Sequence, residues 1–183
     1  MYDFLDPSID HRLAHDVDLA EGNRLVAYKD SEGNWTCGRG HLMPPAAPGR
    51  SWEGFTVIQS TSDRWFCQDL LNAITLAKKW PEFASCDTAA RQNALCEIAF
   101  NLAGRWQGFH KARAAIQAKD WQTAHDEMLN STWHAQVKGR AERLANYILT
   151  GEYPNDQMVH GPQSSDSRTG DDSDSGTGTA QSQ

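Results

Sequence analysis

Apolar positions recur at helical spacing through most of the chain, and the exceptions locate the rest of the fold. Leu13 and Val17 share one face, predicting a helix from near Ser8, a plausible N-cap with acids just after it, to Ala20; Glu21 and Gly22 end it. The pattern then changes. RLVAYKD is rich in β-branched and aromatic residues, DSEGN is a turn cluster and WTCG resumes extended character, which together predict a hairpin as the one convincing β structure. From His41 to Gly54, Pro44, Pro45 and Pro48 with two glycines predict an irregular loop. A helix follows from Ser60 or Thr61 to about Lys79, with Phe66, Leu70, Ile74 and Ala77 on one face and Pro81 supporting its stop. After Thr88, RQNALCEIAFNLAG is apolar on more than one face, as expected of a helix at the centre of a bundle. Shorter helical patterns cover Phe109–Ile116, Trp121–Leu129 and Arg140–Ile148, with Asp120 and Ser131 as candidate N-caps and Gly151 as the C-terminal glycine.

These elements predict an α+β fold, predominantly α, in which a small lobe bearing the hairpin precedes a larger helical lobe. No internal repeat is visible. The 183 residues suffice for one domain or two small lobes on a shared core. The stretch 158–183 is mostly Ser, Gly, Asp, Thr and Gln, and its composition predicts a disordered acidic tail. The net charge of −7 is uneven. Residues 1–20 hold five aspartates against Arg12 and the tail four against Arg168, so the part between is neutral. Basic residues outnumber acids from Thr88 to Gly151. That bias suits a polyanionic wall polymer and equally a solvated helical surface; it lacks the basic footprint of a nucleic-acid binder.

Cys37, Cys67, Cys86 and Cys96 form no C-x-x-C pair, which predicts reduced thiols and neither a zinc site nor a disulfide framework. The acidic start MYDFLDPSIDHRL has no apolar core of a signal peptide, and no run of about 18 apolar residues occurs, so neither export signal nor membrane insertion is expected.

Glycoside hydrolysis needs an acid to protonate the leaving oxygen and, with inversion, a second group presenting water to the opposite face of the sugar. Glu21, where a helix meets the hairpin, and Asp30, at the hairpin turn, can face each other across a cleft, although on spacing alone such a pair is more often two solvated surface acids. The surrounding string changes that balance. LAEGNRLVAYKDSEGNWTCGRGHL resembles the signature of the phage-type lysozymes, glycoside hydrolase family 24, through Glu21-Gly22, Leu25, Tyr28-Lys29-Asp30, Gly33, Thr36, Gly38 and Gly40-His41-Leu42.

The resemblance spans roughly residues 12–150. It implies a lysozyme-like two-lobe fold: an extension at 1–11, a lysozyme domain at 12–157 (small lobe 12–60, inter-lobe helix 61–79, helical lobe 80–157) and the tail. It implies Glu21 as general acid, Asp30 as the group that holds and activates water, and Thr36 as the hydroxyl that positions it, in an inverting reaction. WFCQDLLNA resembles the inter-lobe helix, implying an ion pair between His41 and Asp69. ALCEIAFNLAG resembles the central helix and puts Asn101 beside the cleft, where a substrate hydrogen bond and plain capping remain open. STWHAQVKGRAERL implies that Arg140 pairs with Glu21 and that Gln136 lies near the cleft. Trp35 is the best candidate for stacking on sugar; Trp65, Trp80, Trp121 and Trp133 are expected in the core. Departures are a short, proline-rich loop from Met43 to Phe55 and Cys37 after the threonine.

The function implied is a muramidase cleaving the β-1,4 bond between N-acetylmuramic acid and N-acetylglucosamine, without metal or cofactor. Three settings follow: a monomeric endolysin held in the host cytoplasm until a holin opens the membrane, a virion-associated lysozyme used in genome entry, or a non-catalytic module that binds peptidoglycan strands.

Overall fold

Asp10 rather than Ser8 starts the first helix. Its Oδ1 accepts from the backbone N–H groups of Arg12 at 2.7 Å and Leu13 at 3.1 Å, whereas the Ser8 hydroxyl donates to Asp6 Oδ1 at 2.6 Å. Helix α1 is therefore His11–Glu21, closed by Gly22 at φ +65°. The computed structural model from which these contacts come describes residues 2–30 and 32–154; the tail expected at 158–183 lies outside them.

Strands β1 (Arg24–Lys29) and β2 (Trp35–Gly38) form the hairpin, with Tyr28 opposite Thr36. A third strand, β3 (His41–Leu42), pairs with β2 and makes a sheet of order β1-β2-β3. The sequence predicts only a hairpin here, because two residues ahead of a proline-rich loop cannot display a period of two. That loop returns along the free edge of β1: the Ala27 N–H donates to the Phe55 carbonyl and the Val57 N–H to the Leu25 carbonyl.

Helix α2 (Gln59–Ala77) joins two apolar cores. Trp65 packs on the small one, built on Ala27, Cys37 and Met43, while Phe66, Leu70, Ala73 and Ala77 enter the large one. A helix can serve both because consecutive residues point about 100° apart. The large core centres on α3 (Ala89–Leu102), buried nearly all round as its pattern predicts, and is completed by α4 (His110–Gln117), α5 (Trp121–Leu129), α6 (Thr132–Val137) and α7 (Gly139–Thr150). Asp120 and Ser131 cap α5 and α6, and Gly151 ends α7 in the left-handed region. Short 3-10 turns at Pro81–Ser85 and Ala103–Gly108 connect the helices on either side of α3.

Packing redistributes two expected segments. Helix α1 falls in the 12–60 span expected for the small lobe, yet Leu13, Ala14 and Val17 insert into the large core, because its apolar face meets α3 and not the sheet. The extension is docked on the same core: Ile9 is buried, Phe4 and Leu5 pack beside it, and the Tyr2 hydroxyl donates to Asp18 Oδ2 at 3.0 Å. Trp80, Trp106 and Trp133 are core residues, and Trp121 lies half-buried under the Arg91 guanidinium. All four cysteines are free thiols.

Candidate active site

The junction of α1 with the sheet sets the site. Glu21 is the last residue of α1, so its carboxyl leaves the helix just where the chain turns into β1. It faces a cleft of about 560 Å³ lined by Tyr28, Asp30, Glu32 and Thr36 from the hairpin and by Phe100, Asn101, Arg105 and Gln136 from the helical side. Glu21, Asp30, Thr36, Asn101 and Gln136 thus border one space. Among the described residues no cluster of His, Cys, Asp and Glu has the makings of a metal site.

Asp30 owes its position to the turn it helps build. Its Oδ1 accepts from the backbone N–H groups of Glu32 at 2.9 Å and Asn34 at 2.8 Å, and its own N–H donates to the Asn34 carbonyl at 2.9 Å. This is the hydrogen bonding through which Asp stabilises tight turns, and it fixes the carboxyl at the cleft wall. Thr36 is buried in β2 and its hydroxyl donates weakly to the Asn34 carbonyl at 3.5 Å.

Glu21 is held from two sides. Arg140 Nη1 donates to its Oε1 at 2.7 Å. On the other side is Gly40, at φ +76°: a Cβ there would sit 2.8 Å from Glu21 Oε2 and 3.1 Å from its carboxyl carbon. A glycine is required both by the backbone conformation and by the closeness of the carboxylate. The turn carrying Gly40 is pinned by Arg39, whose Nε donates to Asp18 Oδ1 at 2.5 Å and Nη1 to Asp63 Oδ1 at 2.7 Å. Burial opposes its charge, but the hydrogen bonds to Asp63 and Asp18 outweigh that and hold the guanidinium above its ordinary range. Arg39 so ties α1, the β2–β3 turn and α2 into one unit.

Arg140 also reaches away from the cleft: its Nε donates to Glu97 Oε1 at 2.9 Å, and Glu97 receives both Nη atoms of Arg143 at 3.0 and 2.7 Å. The sequence reading missed Glu97. The available signal was an acid within the otherwise apolar run ALCEIAF, which in a helix buried all round has to find a cation. Across the cleft mouth, Glu32 of the hairpin turn pairs with Arg105 of the Ala103–Gly108 turn.

The remaining expected residues take different places. His41 Nδ1 lies 2.8 Å from Asp69 Oδ2 and its ring stacks on Trp65 at 4.3 Å between centroids, outside the cleft lining. Asn101 Oδ1 accepts from Trp133 Nε1 at 2.8 Å. Trp35 is not brought to the cleft wall: it packs half-buried on the small core beneath the Lys29 ammonium, since its place in β2 directs it to the face opposite Thr36.

Known proteins with this arrangement of sequence are consistent in kind. A family model for phage lysozyme matches residues 18–146. Probable T4-type lysozyme 2 of Dictyostelium discoideum is 28% identical, the match covering 72% of this chain and 89% of that one; probable T4-type lysozyme 1 of the same organism gives the same identity and shares. The pre-baseplate central spike protein Gp5 of Enterobacteria phage T4 is 31% identical over 72% of this chain, which spans only 26% of that longer protein. With a family match over most of its length and a polar cleft between a hairpin and a helical bundle, the chain belongs to the phage lysozyme family and is a muramidase, a glycoside hydrolase.

Proposed function

We propose that this muramidase hydrolyses the β-1,4 bond between N-acetylmuramic acid and N-acetylglucosamine in peptidoglycan, with inversion, and serves as an endolysin. The observation that carries the chemical reading is the convergence of Glu21, Asp30 and Thr36 on one cleft whose two walls come from different cores. Glu21 gives its proton to the leaving glycosidic oxygen as the bond to the anomeric carbon breaks. A water molecule attacks that carbon from the opposite side, forming the new C–O bond and passing its proton to Asp30, while the Thr36 hydroxyl orients it. Both carboxyl groups return to their starting state by exchange with solvent.

The supporting geometry is that each carboxyl is immobilised by partners leaving the cleft open: backbone amides hold Asp30, and Arg140 holds Glu21. Asn101 and Gln136 supply amides for hydrogen bonds to sugar substituents. In this reading the enzyme waits in the infected cytoplasm until a holin opens the membrane. The lysozymes named above, most of whose length the chain covers, favour a free-standing enzyme. Similarity to a baseplate spike protein favours a second setting, in which the module perforates the wall from the virion.

The chemical test is release of reducing sugar from purified peptidoglycan by the wild type and Glu21→Gln. A fall of about 10²-fold or more is expected, the scale of a lost general acid; equal activity would show that Glu21 is not the acid. Proton NMR of the first product formed should show the inverted anomer. Detection of the chain in washed, gradient-purified particles would replace the endolysin setting by the virion one.

A further inference from the structure

Arg140, the guanidinium that meets Glu21, is shared between two carboxylates of different surroundings. Glu21 borders the cleft, with its side chain 19% exposed, whereas Glu97 on α3 is 1% exposed. Glu97 accepts three N–H groups, Arg140 Nε and both Nη atoms of Arg143. Arg143 continues to Asp16 Oδ2 on α1 at 3.1 Å, an oxygen that also accepts from the Tyr147 hydroxyl at 2.9 Å. The chain of contacts therefore leaves Glu21 at the end of α1, passes through α7 and α3, and re-enters α1 five residues earlier.

A cation is costly to bury beside a single carboxylate that must change charge in each catalytic cycle. When Glu21 is neutral, Arg140 needs another anion, and Glu97 supplies it from within the core. Burial works against the Arg143 charge, but its hydrogen bond to Glu97, the charge of Glu97 and that of Asp16 together keep this guanidinium above its ordinary range. It stays cationic and paired whatever happens in the cleft. Glu97 is absent from the cleft lining and cannot reach substrate.

We propose that Glu97 is a positioning residue for the muramidase reaction: it clamps Arg140 from the core side, fixes the direction of its Nη1 toward Glu21, and cancels part of the positive charge that Glu21 faces. This rests on the reading of Glu21 as the acid. On the buried side Glu21 meets Arg140 of α7, and behind Arg140 follow in sequence of contact Glu97 of α3, Arg143 of α7, and Asp16 with Arg12 of α1; across the cleft are Tyr28, Asp30, Glu32 and Arg105. Removing Glu97 changes only the first set: among the described residues it leaves Asp16, which already meets Arg12 at 3.3 Å, as the one buried-side carboxylate near Arg143, and leaves Arg140 with Glu21 alone. Ionised Glu21 is then favoured, and the acid gives up its proton at lower pH.

The test measures kcat, KM and the pH profile on peptidoglycan for wild type, Glu97→Gln, Glu97→Asp and Glu21→Gln. Glu97→Gln is expected to lower kcat about tenfold with little change in KM and to move the alkaline limb of the pH profile toward acid. Glu97→Asp, which keeps the charge, is expected to restore most of the profile. A wild-type kcat and unmoved alkaline limb in folded Glu97→Gln would overturn the role. If Glu97→Gln does not fold, the charge-balanced pair Glu97→Gln with Arg143→Met decides: a lower kcat at unchanged KM supports the clamp, and a wild-type kcat overturns it. Full activity in Glu21→Gln would instead remove the acid assignment, a result that Glu97 variants cannot produce.

Discussion

A single hydrogen atom at Gly40 decides how Glu21 is seated. Any side chain there would bring a Cβ to 2.8 Å from Glu21 Oε2, on a backbone at φ +76° that already disfavours one. Gly38, two residues earlier at φ +66°, is equally tight, but its Cβ would meet Ser62 Oγ at 2.7 Å. The two glycines thus separate backbone strain from interference with the acid. Gly40→Ala and Gly38→Ala are both expected to lose about 1–3 kcal/mol of stability, whereas only Gly40→Ala should cut kcat by about tenfold or more through displacement of the carboxyl. Thermal melts and kinetics on the folded fractions separate these effects; equal kcat in both would mean that the carboxyl yields without consequence. The same pair shows what a sequence conveys at this scale. Glu21, Asp30 and Thr36 are legible as a spaced motif, but the neighbour that makes a given glycine irreplaceable is not. Glu97 and Arg140 lie 43 residues apart on separate helices, so nothing local links them. Trp35 illustrates the reverse error: its aromatic ring invites a role at the cleft, and strand alternation turns it toward the small core instead.

Among the elements, those long enough to show an apolar period were legible, down to the eight and nine residues of α4 and α5, and only the shortest were not. Helix α3 reads as a central helix because nearly every face of it is apolar, and α2 because Phe66, Leu70 and Ala77 keep one stripe. Strand β3 is two residues long, and α6 parts from α7 at Lys138, which itself adopts φ +41° while the glycine beside it, Gly139, is already the first residue of α7. Caps are a third case: Asp120 was identifiable, whereas Asp10 was hidden by the equally suitable Ser8. Both caps can be tested. Asp10→Ala should cost about 1 kcal/mol and loosen the helix whose far end is Glu21. At Asp120 the side-chain and backbone hydrogen bonds from Thr123 hold the carboxyl below the usual carboxylate range. A depressed folded value means that the contribution is complete above the unfolded pKa and disappears as pH falls through the folded one. Melting temperatures of Asp120→Ala and wild type should therefore differ at pH 7 and converge below about pH 3, while Asp120→Asn, a neutral cap, should show no such convergence. A difference that persists in acid would assign the effect to packing.

At the scale of the whole described domain, the unequal cores divide stability. The small one is built on three buried residues, Ala27, Cys37 and Met43, and is completed by half-buried tryptophans; the large one runs through all seven helices. An element resting on few buried contacts opens at lower free energy than the global transition, so the hairpin wall of the cleft should open while α3 stays closed. The free thiols happen to sample this hierarchy. Cys67 is partly exposed on α2, Cys37 is fully buried in the small core, and Cys86 and Cys96 lie in the large core, where burial pushes both thiols up to about 12. Labelling of native protein at pH 8 with excess thiol reagent, followed by peptide mass spectrometry, should modify Cys67 first, Cys37 next, and Cys86 and Cys96 last. With added urea the Cys37 rate should rise gently and the Cys96 rate steeply, because the surface exposed in each opening sets the slope. A glycan fragment seated against Tyr28 and Thr36 should slow Cys37 and leave Cys96 unchanged until global unfolding governs both. If Cys37 and Cys96 react at one rate with one urea dependence, the two lobes open as a single unit, and the cleft wall has no motion of its own with which to admit a polymer strand.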